Sequence, residues 1–512
     1  VTSIQSHETP PQETAREPRI GILVVAYNAV TTLATVLDRI PQDFRSRVAE
    51  IIICDDASRD ATHLVALGYQ QTAPELPITV IRHKKNLGYG GNQKVGYQLA
   101  IEHDLDIVVL LHGDGQYAPE CLGDIVEPLV RGEADAVFGS RMMTEGAARR
   151  GGMPLYKYLG NKILTRFENA LAGAALTEWH SGYRAYSTKA LRAIALDRNA
   201  DGFNFDTQII LQLIEAGKRI VEVPIPTYYG DEVCYVNGLG YARDVSRDVV
   251  RYRLGKMGFT TGEYGSVDAE YDLKEGEDSS HHRIIEFLAD LPTSKVLDLG
   301  CSSGRLSERV RALGHHVTGV DREKFPETLE RVDEFMVGDL EDGIPAEAGT
   351  GFDVVVAADV LEHLRRPEDL LEEIKRVMKP DGRLVVSVPN FGHWYPRGRS
   401  VLGIFDYDQR GILDKTHYRF FTRKSLLRML RNAGFEVRRH NEVGLPFGVL
   451  AGDGGSLGIR LLRRADRVTV SLRPTLFAYQ FVLHLQRPAA PELLTPAQRT
   501  GDRERAGAIG RD

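Results

Sequence analysis

The sequence predicts an α/β protein of two domains, each a mostly parallel sheet with helices on both faces. Three observations carry this. A chain of 512 residues is too long for one core when domains run to roughly 100–200 residues. From Arg19 to about Gly230, short β-rich runs alternate with helical patterns, and strand, helix, strand in succession builds a parallel sheet. The rhythm then breaks and restarts at Ser294 with different motifs. The intervening stretch, 256–280, is rich in Gly, Asp, Glu and Ser, has little apolar periodicity, and reads as a linker.

In the first domain, 19–255, the strands are GILVVAY, EIIICDD, PITVIRH, DIVVLLHGD and DAVFGSR, with helices TTLATVLDRI, DATHLVALGYQQ and GNQKVGYQLAIEH between them. The run YARDVSRDVVRYRLGKMG reads as a helix carrying Arg243, Arg247, Arg251, Arg253 and Lys256 around Val245, Val249 and Leu254. Its basic face is either solvated or rests on anionic lipid. In the second domain, 281–488, KVLDLG, HHVTGVD, FDVVVAAD and RLVVSVPN are strands, while LSERVRALG and LLEEIKRVM are helices. Residues 1–18 and 489–512 read as disordered tails.

Composition narrows the class. A 42% hydrophobic, 26% charged chain of net charge −7 is that of a globular protein and gives no reason to expect a nucleic-acid partner. The four cysteines, Cys54, Cys121, Cys234 and Cys301, have no CxxC spacing and fit reduced thiols in the cytoplasm. The N-terminal stretch lacks the apolar core of a signal peptide. No window approaches the roughly 18–20 apolar residues of a membrane span, so a lipid substrate would be met from the inner membrane face.

Four loops of the first domain fall beyond strand ends, where parallel sheets bind ligands. They are AYNA with Tyr27 and Asn28, CDDAS with Asp55 and Asp56, NLGYGGN with Gly88 and Asn92, and HGDGQ with His112, Asp114 and Gln116. The acidic pair offers acceptors for a nucleobase and ribose hydroxyls, and the glycines permit close backbone approach before a helix N-terminus that favors anions. In this order the loops resemble family-2 glycosyltransferases of the nucleotide-diphospho-sugar (GT-A) fold, closest to the polyprenyl-phosphate mannose synthase group. The resemblance implies a nucleotide-diphosphate sugar as donor, a polyprenyl phosphate or glycan as acceptor, and Asp55 and Asp56 at the nucleoside. It also implies a divalent cation, Mn²⁺ or Mg²⁺, held by an Asp-x-Asp-x-Gln comb. This chain matches that comb at Asp114 and Gln116 and departs from it at His112, which is either a softer ligand or a phosphate hydrogen-bonder. Arg141 and Arg184, in FGSRM and SGYRAYS, are expected near phosphates or as structural ion-pair partners. Glu178 and Asp206 are the candidate bases, and Asp206 also reads as the N-cap of FDTQIILQLIEAG. The segment EVPIPTYYGDE resembles the closing strand, which precedes a loop over the donor.

In the second domain KVLDLGCSSG ends a strand and opens a helix, and HHVTGVD places Asp321 at the next strand end. An acid some 20 residues past a Gly-rich turn suits two ribose hydroxyls. The spacing Asp298-x-Gly300-x-Ser302-x-Gly304 is not G-x-G-x-x-G, and an acid before the first Gly suits a cationic amino-acid end better than a pyrophosphate. From about His281 to Arg487 the chain resembles a Rossmann-like class I S-adenosylmethionine-dependent methyltransferase. The resemblance implies S-adenosylmethionine as cofactor, with Asp339 of GDLED by the adenine and the helix ADVLEHLRRPEDLL, which carries Asp359, under the methionine end. It also makes FAYQFVLHLQR the final antiparallel strand. Methyl transfer needs a base only for a hydroxyl or amine acceptor. His363, His393 and His417 are candidates, with His363 read as a helix residue near the cofactor and His417, in THYRFFT, preferred. Two readings stay open: an enzyme that transfers both a sugar and a methyl group in glycan or glycolipid biosynthesis, and a methyltransferase carrying a noncatalytic glycan- or lipid-binding module.

Overall fold

The computed structural model describes residues 16–228, 237–259, 279–408, 410–447 and 457–488. The expected tails before residue 16 and after 488, most of the linker, and the expected donor-covering loop at 229–236 lie outside the described residues. Among those described, a first compact unit runs to Lys256 and a second begins at Met257.

The first unit holds seven strands: β1 (Ile20–Ala26), β2 (Val48–Asp55), β3 (Ile78–Arg82), β4 (Ile107–His112), β5 (Ala136–Ser140), β6 (Arg184–Ser187) and β7 (Ile220–Pro224). Their order is β3-β2-β1-β4-β6-β5-β7, parallel except that β6 runs against both β4 and β5. All seven residues of β1 are buried because helices cover both faces. Ile20, Ile22, Val24 and Ala26 enter one apolar cluster, and Leu23 and Val25 the other, as side-chain alternation requires. The basic helix expected near the end of this unit is Gly238–Lys256. Its Val245, Val249 and Tyr252 are buried, and Lys256 pairs with Glu215 at 2.8 Å, while Arg243 and Arg247 stay exposed.

The second unit holds β8 (Lys295–Leu299), β9 (His316–Asp321), β10 (Glu334–Val337), β11 (Phe352–Ala358), β12 (Met378–Pro389), β13 (Glu436–Val443) and β14 (Gln480–Gln486). The order is β10-β9-β8-β11-β12-β14-β13, with β14 antiparallel to both neighbors. One expectation is corrected here. Residues Leu361–His363 form a short 3₁₀ turn and the helix begins only at Pro367. Proline disfavors helical backbone in the residue before it, and Arg366 sits at φ −129°, ψ 67°. No helix among the described residues is long and apolar enough to cross a membrane.

Candidate active sites at the two sheet edges

In the first unit Ala26 pairs with Asp55, and Val25 with His112, so the loops after β1, β2 and β4 emerge side by side. Side chains lace them together. The Asn28 amide donates to Ser58 Oγ at 2.9 Å and the Asn28 side-chain oxygen accepts from the Arg59 amide at 3.0 Å, joining AYNA to CDDAS; half-buried Tyr27 precedes it. One Asp56 oxygen accepts from the Leu87 amide at 2.7 Å and the other from the Gly88 amide at 3.0 Å. Gly88 sits at φ 84°, where a Cβ would lie 2.6 Å from the Asp201 carbonyl oxygen, so glycine is required. Asn92 donates to the Cys54 carbonyl at 3.0 Å. Asp55, fully buried, accepts from the Ser58 amide at 3.2 Å and lies 3.4 Å from Arg82 Nε. Both oxygens of Asp56 are thus engaged in holding loops, a duty beyond the base recognition expected of them.

The comb divides in two. Asp114 is exposed, and one of its oxygens accepts from the Gln116 amide at 3.0 Å; the other has no partner among the described residues. His112 turns inward. Its Nε2 lies 3.3 Å from the Tyr89 hydroxyl, which donates to the Asp206 carboxylate at 3.0 Å. With its hydrogen committed, the Tyr89 oxygen is the acceptor, which places the proton on His112 Nε2. Gly182 makes room for this ring, since a Cβ there would lie 2.8 Å from His112 Nε2. Burial lowers the His112 pKa and raises that of Tyr89, so both stay neutral. The result is a chain from half-buried His112 through half-buried Tyr89 to buried Asp206, beside an open Asp114 and a half-buried Gln116.

Three expectations change with the geometry. Asp206 is not an N-cap: Asn204 holds that position and Asp206 is the second residue of the helix Phe205–Glu215. Glu178 is fully enclosed, receiving the backbone amide and guanidinium of Arg141 and the amide of Asn161. Burial pushes its carboxyl pKa up, but the charge and hydrogen bonds of Arg141 outweigh that and leave it below the ordinary value. A base needs an accessible lone pair and a higher pKa, so this geometry makes Glu178 the partner of Arg141. Arg184, 1% exposed, donates to the carbonyls of Ser181, Asp206 and Trp179 at 2.7, 2.9 and 2.7 Å. It braces the Trp179–Ser181 turn and lies 3.8 Å from the Asp206 carboxylate, the structural ion-pair alternative.

In the second unit Leu299 pairs with Val320, Asp321 with Val337 and Ala358 with Ser387. The ends of β8, β9, β10, β11 and β12 therefore line one edge. A pocket there is lined by Asp298, Gly300, Ser302, Ser303, Arg305 and Ala358. Gly300, at φ 70°, donates its amide to the Val320 carbonyl at 2.8 Å, and Gly304, at φ 78°, caps the helix Arg305–Ala312. Asp321 accepts from the amides of Ser302 at 2.7 Å and Glu323 at 3.0 Å, joining the two loops. Asp298 accepts from Ser307 Oγ at 2.5 Å, and burial raises its pKa to about 7. Asp339 is exposed, accepting from the Glu341 amide at 3.0 Å. Asp359 sits at φ 57° and accepts from Ser387 Oγ at 2.8 Å and from Gln480. His417 is nearly buried, and burial together with neighboring His363 lowers its pKa to about 4, a weak base. His393 is fully buried and its pKa is lowered to about 4 by burial alone.

Sequence reasoning missed Tyr89, which lies inside a loop singled out for its glycines, and Ser387 and Gln480, which hold Asp359. Only an aromatic hydroxyl among those glycines signaled the first, and nothing local signaled the others.

The family described as Glycosyl transferase family 2 matches residues 21–194, and the family described as Methyltransferase domain matches residues 274–440. An undecaprenyl-phosphate mannosyltransferase of Micrococcus luteus is 31% identical over 211 residues, covering 40% of this chain and 82% of its own length. A ubiquinone biosynthesis O-methyltransferase of Pseudomonas aeruginosa is 31% identical over 196 residues, covering 36% of this chain and 82% of its own. Among solved structures, glucosyl-3-phosphoglycerate synthase from Mycobacterium tuberculosis, in complex with Mn²⁺, uridine diphosphate and phosphoglyceric acid, aligns at TM-score 0.34 and 19% identity over 50% of this chain and 82% of that one.

Proposed function

Because the chain belongs to glycosyl transferase family 2 over its first unit and to the methyltransferases over its second, we propose that it is one enzyme with two transfer activities. The first unit moves a sugar from a nucleotide-diphosphate donor to a polyprenyl phosphate or a glycan, and the second moves a methyl group from S-adenosylmethionine. The observation that carries the reading is the same in both units: the motif loops gather at one sheet edge, beyond the C-terminal ends of parallel strands, which is where such sheets bind ligands.

The residues fit the two cofactors. Asp114, with an open carboxylate oxygen, and Gln116 would hold a divalent cation, which would neutralize charge on the departing diphosphate. Asp298, Gly300 and Ser302 line the pocket, Gly304 and Asp321 sit on the loops around it, and Asp339 and Asp359 follow the ends of β10 and β11; together they suit a cationic amino acid joined to a ribose. S-adenosylmethionine, when bound, supplies an activated methyl group; the protein's part is to orient the acceptor and exclude water. Asp206 is buried, with its carboxylate oxygens taken by Tyr89 and Gln93, so as a base in sugar transfer it meets the same objection as Glu178. A lipid phosphate, already ionized, needs none.

A peripheral contact with a membrane follows from a lipid acceptor. The helix Leu155–Ala172 exposes Tyr156 (73%), Leu159, Ile163 (66%) and Phe167 at three- and four-residue spacing, beside exposed Lys162 and Arg166. An apolar stripe flanked by cations suits an anionic bilayer surface. The inward turn of His112 supports the second reading, in which the first unit binds a glycan or lipid without transferring sugar. Thermal-shift titration with nucleotide sugars, with and without Mn²⁺, separates the two: metal-dependent stabilization by a donor supports transfer, and no donor response at millimolar concentration supports the binding module.

A further inference from the structure

The loop after β11 and the loop before the helix Arg423–Asn432 meet through the backbone. The amides of Tyr418 and Arg419 both donate to the Glu362 carbonyl, at 2.9 and 3.0 Å. This pins His417 beside Glu362 and His363, and one ligand atom from each of the three residues lies within 4.8 Å of the others. Ligands at about 2.0–2.1 Å from a tetrahedral ion stand about 3.3–3.4 Å apart, so small side-chain rotations close the difference.

Both imidazoles are pre-set for coordination. His417 Nδ1 lies 3.3 Å from the Ile412 carbonyl oxygen; a carbonyl only accepts, so Nδ1 carries the hydrogen and Nε2 keeps its lone pair. The Thr416 hydroxyl donates to Asp414 at 2.7 Å and therefore accepts from His363 Nδ1 at 3.1 Å, which again leaves Nε2 as the lone pair. The rings meet edge to face with centroids 4.7 Å apart. A carbonyl behind one histidine and a hydroxyl–carboxylate pair behind the other are the outer contacts that fix the tautomer of metal-binding histidines. Glu362, 1% exposed, adds the carboxylate.

We infer that Glu362, His363 and His417 form a site for a divalent transition metal of the Zn²⁺ or Mn²⁺ class, with coordination positions left for an oxygen of the methyl acceptor. Two imidazoles and one carboxylate suit such ions better than Mg²⁺ or Ca²⁺, and three protein ligands leave a metal open to a further oxygen. Glu362 lies four residues beyond Ala358, which ends β11 and lines the pocket at the sheet edge. The role given to the acceptor rests on the second unit being a methyltransferase; the metal site itself does not.

Co²⁺ titration of the full chain, followed by visible absorption, is the test. Wild type and Asp114→Asn are expected to show the bands of one imidazole-ligated Co²⁺, and His363→Ala and His417→Ala to lose them. Thr416→Val, which removes the hydroxyl behind His363 together with its bond to Asp414, is expected to weaken Co²⁺ binding about 10–100-fold. S-adenosylmethionine binding by calorimetry, measured in parallel, reports whether each variant is folded, and its absence in wild type would sink the methyltransferase reading while leaving the Co²⁺ result to stand. No Co²⁺ bands in wild type, or bands unchanged in both histidine variants, would overturn the site.

Discussion

At Asp298 burial raises the carboxyl pKa to about 7, which makes stability depend on pH. Between its ordinary value near 4 and about 7, the folded state holds a proton that the unfolded state has released. The contribution to stability is therefore complete below about pH 4 and is lost as pH rises through about 7. Thermal melts of the ligand-free protein should show wild type losing stability relative to Asp298→Asn between pH 5 and pH 8; parallel curves would place the Asp298 titration elsewhere. At Glu178 the prediction is larger. Breaking a buried ion pair from one side costs roughly 3–5 kcal/mol, so Glu178→Ala should lower the urea unfolding free energy of the first unit by about that amount. A loss below about 1 kcal/mol would show that Arg141 finds another partner. Asp114, Gln116 and Asp298 were legible as residues because each ends or follows an apolar run. Glu178 was not legible as the partner of Arg141, 37 positions away, because the pairing depends on which strands become neighbors.

The loops are where element and residue meet. NLGYGGN is held at Gly88 by its positive φ, the hydrogen bond its amide donates to the Asp56 carboxylate, and the nearby Asp201 carbonyl. Gly88→Ala, at a position with φ 84° and ψ 168°, should therefore cost about 1–3 kcal/mol from positive-φ strain alone and, by shifting the loop, weaken nucleotide-sugar binding at least tenfold; calorimetry returning wild-type affinity would detach this loop from the donor site. The parallel strands and their connecting helices were readable from alternating apolar periods. The reversed strand β6 was not: its four residues pair with β4 and β5 from more than 40 positions away, and direction leaves no mark in a short apolar run. The apolar spacing of Leu361–His363 fits a helix, whereas Pro367 decides where the helix can start. The Glu362, His363 and His417 cluster was hidden for a related reason, since 54 residues separate its ends in sequence.

At the scale of the whole molecule, the two units share an architecture but carry different motifs, and a lipid-linked acceptor would give them a common substrate. On that account the exposed stripe of the helix Leu155–Ala172 should govern association with lipid. Sedimentation with anionic phosphatidylglycerol vesicles should retain wild type, and Leu159→Glu with Ile163→Glu should reduce the bound fraction severalfold; equal binding would move the contact elsewhere. Fold class and both sheet edges were legible because strand ends carry the motifs. The exposed stripe of Leu155–Ala172 was not, because in the sequence the basic helix Gly238–Lys256 carries the stronger charge signal, although it partly packs into its own unit. The central claim, one chain with two transfer activities, is tested most directly by incubating a membrane extract with the protein, radiolabeled nucleotide sugars and methyl-labeled S-adenosylmethionine, comparing wild type with Asp114→Asn and Asp321→Ala. The account predicts sugar and methyl label in the lipid-extractable fraction with wild type, loss of sugar label with Asp114→Asn, and loss of methyl label with Asp321→Ala. Wild-type protein that transfers neither label, or transfers methyl alone with Asp114→Asn behaving as wild type, would contradict it.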